Sequence, residues 1–314
     1  GKIVRRRDTP VKVNGTAIFG MDVQVPGMLI ASIERCPVFG GEVKSFDATG
    51  AKRVKGVSQV VKVTNGVAVV ADSFWAALQG RKALTVTWDE GALATLTSAQ
   101  ISSGYAEAVK QKGQEARKDG DAEKALAAGS KVVEAIYEVP FLEHACMEPM
   151  NATAHVRADA CEIWAPTQNP GGTQQTGARL TGLPANKVVV NTTFLGGGFG
   201  RRGEQDFITD AVETSKAVGA PVKVIWTRED DIQHGFYRPA TYNVFQAALD
   251  DKRMPVAWWN RIVGPGLQVQ KGRVPAYSLD VTALAGARDM PYDVPNVLVE
   301  WVHKDFGVPA GFWR

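Results

Sequence analysis

Residues 195–203, with the sequence LGGGFGRRG, constrain the fold more than any other part of the chain. Four glycines occupy the five positions 196–200, so Phe199 alone among them carries a side chain. Glycine loses more backbone entropy on folding than other residues, so such a run is expected where the chain passes close to another group. It follows a strand-like stretch, 187–194, and precedes an amphipathic pattern, 204–219, that predicts a helix. Free N–H groups there favour an anion, and a strained turn that binds nothing is the alternative.

The first hundred residues have the pattern of a small mixed unit of strands and helices. Residues 57–72 contain two β-branched runs around Asn65-Gly66, which predicts a hairpin whose tight turn uses positive φ. Residues 73–84 predict a helix that begins at a Ser73 cap and carries Trp75, Leu78 and Leu84 on one face.

A polar stretch separates this unit from a second one. Residues 110–124, KQKGQEARKDGDAEK, contain few side chains that could enter a core, and we interpret them as a solvated linker. Beyond it, strand-like and helix-like segments alternate, at 131–141, 160–166, 171–183, 187–194, 204–219 and 221–227. The sequence therefore predicts the α+β class, with one domain over residues 8–113 and a second over 121–314.

Composition argues against several functions. The net charge is +3, and the basic clusters at 5–7 and 201–202 are too short to predict a nucleic-acid interface. Three scattered cysteines without C-x-x-C cannot hold an iron–sulfur cluster, and four histidines lack ligand spacing, so no protein-ligated metal is predicted. No stretch approaches the ~18 apolar residues of a membrane span. The first residues have no signal-peptide pattern, and the lack of an initial Met suggests an excised piece, with periplasm and cytoplasm both open.

The glycine run also contains a formal GxGxxG at Gly198, Gly200 and Gly203. This match permits a nicotinamide-dependent dehydrogenase as an alternative, although the expected acidic residue comes late, at Glu229 or Asp230. A P-loop is less favoured, because no Gly-Lys-Ser/Thr follows.

Two segments upstream of the glycine run sharpen the choice. They are EHACMEPMNA at 143–152 and WAPTQNP at 164–170. Taken alone, His144 and Glu148 could form a surface pair, and Gln168 could cap a turn. Taken in order with the glycine run and the terminal GVPAGFWR, they resemble the large subunit of the xanthine dehydrogenase and aldehyde oxidase superfamily of molybdenum hydroxylases. The residues of these motifs are most similar to those of the isoquinoline 1-oxidoreductase beta-subunit type.

This resemblance implies a fold and the role of several residues. Residues 19–47 and 66–91 resemble an α/β-hammerhead domain, and the later motifs resemble the first part of a molybdopterin-binding domain. Gln168 matches a glutamine that hydrogen-bonds an oxygen ligand of molybdenum. Gly197, Gly198, Phe199 and Gly200 match a loop whose backbone passes against the cofactor, and Arg314 matches an arginine whose main chain also faces it.

The resemblance further implies hydroxylation of N-heteroaromatic rings or aldehydes with oxygen from water. It implies molybdopterin cytosine dinucleotide with molybdenum as cofactor and a small [2Fe–2S] subunit as the electron-accepting partner. Gly203 stands where xanthine dehydrogenases carry a glutamate, which disfavours purines. The family's glutamate base lies beyond residue 314, so we expect no catalytic residue in this chain, and expect the 314 residues alone to be inactive and without cofactor. A module that only docks a partner subunit is the non-catalytic alternative.

Overall fold

The computed structural model of the protein describes residues 1–313. They form two compact units, and each unit is built from separated stretches of the chain. The first unit contains residues 1–92 and 144–235, together with Trp313, and the second contains residues 93–143 and 236–312.

In chain order, the helices are α1 (Thr9–Val13), α2 (Thr49–Lys52), α3 (Phe74–Lys82), α4 (Ser98–Ala108), α5 (Ala122–Ala128), α6 (Pro170–Thr181), α7 (Asp206–Val218), α8 (Arg228–Gln233) and α9 (Leu267–Gln270). The strands are β1 (Leu29–Glu34), β2 (Glu42–Asp47), β3 (Val57–Val63), β4 (Gly66–Ala71), β5 (Thr85–Asp89), β6 (Gln114–Asp119), β7 (Lys131–Val139), β8 (Asn151–Val156), β9 (Cys161–Ala165), β10 (Val188–Thr192), β11 (Val222–Ile225), β12 (Thr241–Leu249), β13 (Pro255–Gly264) and β14 (Asn296–His303).

The first unit is built on a seven-stranded mixed sheet in the order β10-β9-β8-β11-β1-β4-β3. Helix α7 packs its buried Phe207, Ile208 and Val212 against this sheet, where they join the main apolar core. The helix ends where Gly219 adopts a φ of +71° and donates its N–H to Ser215 O at 2.8 Å. The amphipathic helix expected over 204–219 is therefore confirmed, and the glycine run lies between β10 and α7.

The second unit contains a five-stranded sheet in the order β6-β14-β13-β12-β7. Strands β13 and β14 are parallel, and the other pairs are antiparallel. Trp301, which is fully buried, lies in the apolar cluster that covers one face of this sheet together with residues of the 279–294 segment. The mixture of helices with parallel and antiparallel strands confirms the α+β class.

The hairpin expected over 57–72 is confirmed, but the neighbouring strand, and not the turn alone, accounts for Gly66. Val63 lies opposite Gly66, so Thr64 and Asn65 form the loop. Gly66 adopts a φ of +147°, and a Cβ there would lie 2.0 Å from the carbonyl oxygen of Glu34 on β1. Asn65 instead donates its side-chain amide to the carboxylate of Asp210 on α7, at 2.8 Å. The glycine is therefore required by the neighbouring strand.

Helix α3 begins at the predicted cap, where Ser73 Oγ accepts the Ala76 N–H at 3.3 Å. The predicted apolar face is wrong, because Trp75 is 71% exposed while Ala76, Ala77 and Gly80 are buried. A Cβ at Gly80 would lie 2.8 Å from side-chain atoms of Val57 and Val69. The helix packs so closely on the sheet that small residues, and not the large apolar ones, form its inner face.

The interpretation of residues 110–124 as a linker is also wrong. Residues Gln114–Asp119 form β6, which pairs antiparallel with β14 at the edge of the second sheet. An edge strand gains its backbone hydrogen bonds from one neighbour, and polar side chains suit it because they discourage pairing with other chains. Low hydrophobicity therefore did not exclude a strand here.

The two compact units do not coincide with the segments of the predicted domains, 8–113 and 121–314. Strand β1 pairs in parallel with β11, with Leu29 opposite Val222, so one sheet contains strands from both predicted segments. The division into a hammerhead segment and a cofactor-binding segment stays a prediction that rests on the family resemblance.

Candidate functional site

The glycine run forms a tight loop with an unusual backbone. Gly197 and Gly200 adopt φ angles of +99° and +102°, which L side chains rarely adopt. Phe199 between them has a φ of +53° and is 58% exposed. A positive φ at a bulky residue is a strained state that surrounding contacts must hold in place. The loop therefore presents an exposed aromatic residue on a backbone that two glycines make possible.

Gln168 lies directly against this loop. It follows β9 and precedes Asn169, whose Oδ1 caps α6 by accepting the Gly172 N–H at 3.0 Å. Its Oε1 accepts the Gly200 N–H at 3.1 Å, and its own backbone N–H donates to Arg202 O at 3.0 Å. A Cβ at Gly198 would lie 2.7 Å from Cδ and Oε1 of Gln168. The Gln168 side chain thus occupies the space that a side chain at 198 would need.

Glu148 joins the upstream segment 143–152 to the same loop. Its side chain is 8% exposed, and its two carboxylate oxygens accept four hydrogen bonds. The donors are Met21 N at 3.0 Å, Asn151 Nδ2 at 3.0 Å, Gly196 N at 2.9 Å and Arg202 Nη2 at 3.2 Å. The surface-pair interpretation of His144 and Glu148 is therefore wrong, since Glu148 is an internal anchor of the loop.

The two arginines that follow the glycines are fully buried. Arg201 forms two hydrogen bonds to Asp206 at the start of α7, at 2.9 and 2.6 Å. Arg202 donates to Gly197 O at 2.7 Å and to Glu148 O at 2.6 Å, in addition to the Glu148 carboxylate. Burial lowers the pKa of Arg202, and the negative charge of Glu148 opposes that effect. Both guanidinium groups hold the loop from inside, so neither forms part of a basic surface.

Arg228 holds the backbone on the other side of the loop. Its guanidinium donates to the carbonyl oxygens of Cys146 and Met147 at 2.5 and 2.9 Å and pairs with buried Asp231 at 2.7 Å. Cys146 Sγ lies 3.6 Å from Gly198 O, and the preceding Ala145 has a φ of +47°. The arginine therefore fixes a strained turn against which Gly198 packs.

The geometry disfavours the nicotinamide alternative. Strand β10 is at the edge of the sheet, and its neighbour β9 pairs antiparallel with β8, unlike the parallel sheet of a dinucleotide-binding fold. The third glycine of such a motif permits close packing of helix on strand, but a Cβ at Gly203 would meet nothing within 4 Å. Asp230 is engaged elsewhere, because it caps α8 and pairs twice with Arg81 at 2.7 Å.

Several N–H donors of the loop have no acceptor in the protein. Within residues 1–313, the backbone N–H groups of buried Gly198 and exposed Phe199 and the side-chain NH₂ of exposed Gln168 donate to no acceptor. In the same part of the chain, no group of three or more His, Cys, Asp or Glu could hold a metal ion. None of the described helices is both long and apolar enough to cross a bilayer. Arg314, the last predicted cofactor contact, lies outside the described residues.

Comparison with known proteins identifies the family. Residues 105–302 match the model of the molybdopterin cofactor-binding domain. The chain belongs to this family. The chain is 35% identical to the isoquinoline 1-oxidoreductase subunit beta of Brevundimonas diminuta, over 80% of this chain and 34% of that protein. It is 32% identical to a membrane-bound aldehyde dehydrogenase [pyrroloquinoline-quinone] of Gluconacetobacter polyoxogenes, over 91% of this chain and 38% of that protein. The chain thus spans little more than a third of the length of these relatives.

Solved structures show the same fold at lower identity. Quinoline 2-oxidoreductase from Pseudomonas putida 86 matches with a TM-score of 0.73 and 20% identity, over 99% of this chain and 45% of that one. Aldehyde oxidoreductase from Desulfovibrio gigas matches with a TM-score of 0.75 and 19% identity, over 98% of this chain and 38% of that one. The recognition made from the motifs is confirmed.

Sequence reasoning singled out Gln168 and the glycines as candidates, and these remain a prediction, but it missed the side chains that hold the loop. Glu148 binds Gly196 of the loop, which lies 48 residues away in the sequence. Arg228 binds Cys146 of the supporting turn, which lies 82 residues away. One signal was present in the sequence, because two adjacent basic residues, Arg201 and Arg202, directly follow the loop. Glu148, in the neighbouring motif, was a candidate counter-charge for them.

Proposed function

We propose that this molybdopterin cofactor-binding domain is part of an oxidoreductase that hydroxylates N-heteroaromatic rings or aldehydes with oxygen derived from water. One observation carries the proposal. Three of the four ordered motifs that carry the resemblance lie around one loop, where Glu148 accepts the Gly196 N–H at 2.9 Å and Gln168 accepts the Gly200 N–H at 3.1 Å. The names of the two similar proteins, an isoquinoline oxidoreductase and an aldehyde dehydrogenase, support this substrate range.

We infer that Gln168, Gly197, Gly198, Phe199 and Gly200 bind the cofactor, with Arg314 as a further contact. The fit rests on the donors at the loop, because the free N–H groups of Gly198 and Phe199 and the NH₂ of Gln168 suit anionic oxygens of a molybdenum cofactor. The positive φ angles at Gly197 and Gly200 are accessible because neither residue carries a side chain. The cofactor form that we propose is molybdopterin cytosine dinucleotide, and the partner is a small [2Fe–2S] subunit.

The bound cofactor would supply the two-electron oxidation of the substrate carbon. The residues of this chain hold and orient it. Gln168 has two functions in this proposal, since its oxygen holds the Gly200 N–H while its NH₂ remains free to donate. Exposed Phe199 provides an apolar surface beside these donors.

The roles of Gln168 and Gly198 can be separated in the complete enzyme. In Gly198→Val, the new side chain overlaps Gln168 at 2.7 Å, so we expect loss of molybdenum. In Gln168→Ala, no bulk is added, and we expect molybdenum to be retained with a lower rate, since one hydrogen bond to an ionic group is worth about 1.5–3 kcal/mol. The buried Gly200 N–H also loses its acceptor, so we expect this variant to be less stable as well.

Gly203→Ala is the matched control, because a Cβ at Gly203 meets nothing within 4 Å. Metal content by elemental analysis and turnover with an aldehyde and an N-heterocycle should be measured on all three variants. Normal molybdenum content and normal turnover in both Gly198→Val and Gln168→Ala would show that the loop is not part of the cofactor site. Loss of function in Gly203→Ala to the same degree would point to general misfolding instead.

A further inference from the structure

The second unit contains a cavity that lies apart in sequence from the glycine loop. Its volume is about 440 Å³, within the range of roughly 300–1,000 Å³ that small-molecule sites occupy. Side chains of β12 and β13 form its floor, and residues from 283–292 form its roof. The cavity is therefore bounded by this unit's own sheet and the segment that covers it.

Aromatic and thioether side chains form much of the cavity wall. Phe245 and Trp258, on neighbouring strands, lie edge to face with ring centroids 5.5 Å apart. Met290 and Tyr292 contribute from the roof. Such walls provide flat apolar surfaces for a planar ring. No residue that lines the cavity within the described chain is charged, which disfavours an ionic ligand.

Two amides interrupt this apolar lining. Asn260 on β13 lies opposite Phe245, and Asn243 on β12 lies opposite Ile262, so polar and apolar residues alternate across the strand pair. The same sheet face contributes Ile262, Val299 and Trp301 to the apolar cluster of this unit. Asn260 is 1% exposed. Amides on a covered face are unfavourable unless each polar atom finds a partner.

The two amides use their nitrogens and leave their oxygens available. Asn260 Nδ2 donates to Val244 O at 3.2 Å, and Asn243 Nδ2 donates to Thr241 Oγ1 at 3.0 Å and to Tyr137 O at 3.3 Å. Within residues 1–313, Oδ1 of neither amide accepts a hydrogen bond. The cavity thus combines aromatic walls with two hydrogen-bond acceptors and no charge.

We propose that this cavity binds a small, neutral, planar aromatic molecule that carries an N–H donor. The rings of Phe245 and Trp258 contact its faces, and Oδ1 of Asn243, the more exposed of the two amides, accepts its N–H. The site belongs to the second unit and shares no residue with the proposed cofactor site, so either assignment can fail without the other.

Indole and 1-methylindole form a matched pair of probes, since both are neutral and planar and only indole has an N–H. Isothermal titration calorimetry of each into the full chain measures affinity and stoichiometry. We expect one indole per chain and binding of 1-methylindole weaker by about three- to tenfold, the value of one neutral hydrogen bond. Equal binding of the two probes would overturn recognition of the N–H. The absence of saturable indole binding would overturn the site.

Two variants localise the effect. Asn243→Leu removes one acceptor at similar volume, and we expect it to reduce the preference for indole over 1-methylindole. The control is Asn186→Leu, at an exposed turn of the first unit, which should leave that preference unchanged. Ala285 is exposed and lines the cavity, so Ala285→Trp blocks it without entering the core. Undiminished indole binding in Ala285→Trp would overturn the assignment to this cavity, even if Asn243→Leu does not fold.

Discussion

Replacement of Glu148 by Gln should loosen the glycine loop at a cost that the structure allows us to calculate. The carboxylate accepts Met21 N and Asn151 Nδ2 on one oxygen, and Gly196 N and Arg202 Nη2 on the other. A glutamine can keep the first pair of bonds. Its NH₂ then faces two donors, Gly196 N–H and Arg202, and the buried arginine loses its counter-charge.

Loss of one partner of a buried ion pair costs about 3–5 kcal/mol. Arg202 keeps two carbonyl acceptors at 2.7 and 2.6 Å, so we expect the lower end of that range, near 3 kcal/mol. For a unit of this size the melting temperature should fall by roughly 6–12 °C. Hydrogen exchange should rise at the backbone N–H of Gly196, which donates to the Glu148 carboxylate at 2.9 Å.

Glu162→Gln is the control, since Glu162 also pairs with an arginine, Arg157, but the two side chains are 33% and 37% exposed. An exposed pair contributes about 0–1 kcal/mol, so this variant should melt close to the wild type. If Glu148→Gln melted no lower than Glu162→Gln, and Gly196 stayed protected, Glu148 would not anchor the loop and our account of it would be wrong.

Three further perturbations test the same description of the first unit. Gly197 has a φ of +99°, so Gly197→Ala should destabilise the chain by about 1–3 kcal/mol in urea unfolding, whereas Gly203→Ala should not. Buried Asp210 accepts from Arg35 at 2.5 Å and Trp226 Nε1 at 3.0 Å, so Asp210→Asn should cost about 3–5 kcal/mol, and an unchanged urea midpoint would contradict that pairing. Burial, assisted by Arg35 and Arg81 and opposed by Asp230, lowers the pKa of His234 to about 4. As the pH falls below the unfolded pKa of 6.5, the imidazole of the unfolded chain is protonated first, so the free energy of unfolding should fall by up to about 3 kcal/mol between pH 6.5 and 4. His234→Gln should reduce that loss in thermal melts across this pH range, and an equal pH dependence in both proteins would refute the prediction.

The sequence by itself determined the local elements and the identity of the loop. The hairpin at 57–72, the Ser73 cap and the helix ended by Gly219 follow from turn chemistry, caps and periodicity, which act over a few residues. Four ordered motifs also identified the family, and that identification needed no contact between them.

The tertiary structure alone decided what holds these elements together. The polar segment 114–119 became a strand because β14, far along the chain, offered backbone partners. Helix α3 buried alanines and not Trp75 because the sheet lies too close for larger side chains. Glu148 and Arg202 became internal because residues 54 positions apart meet across the loop. Hydrogen bonding and packing between distant segments fix these features, and the local sequence pattern does not encode such partners.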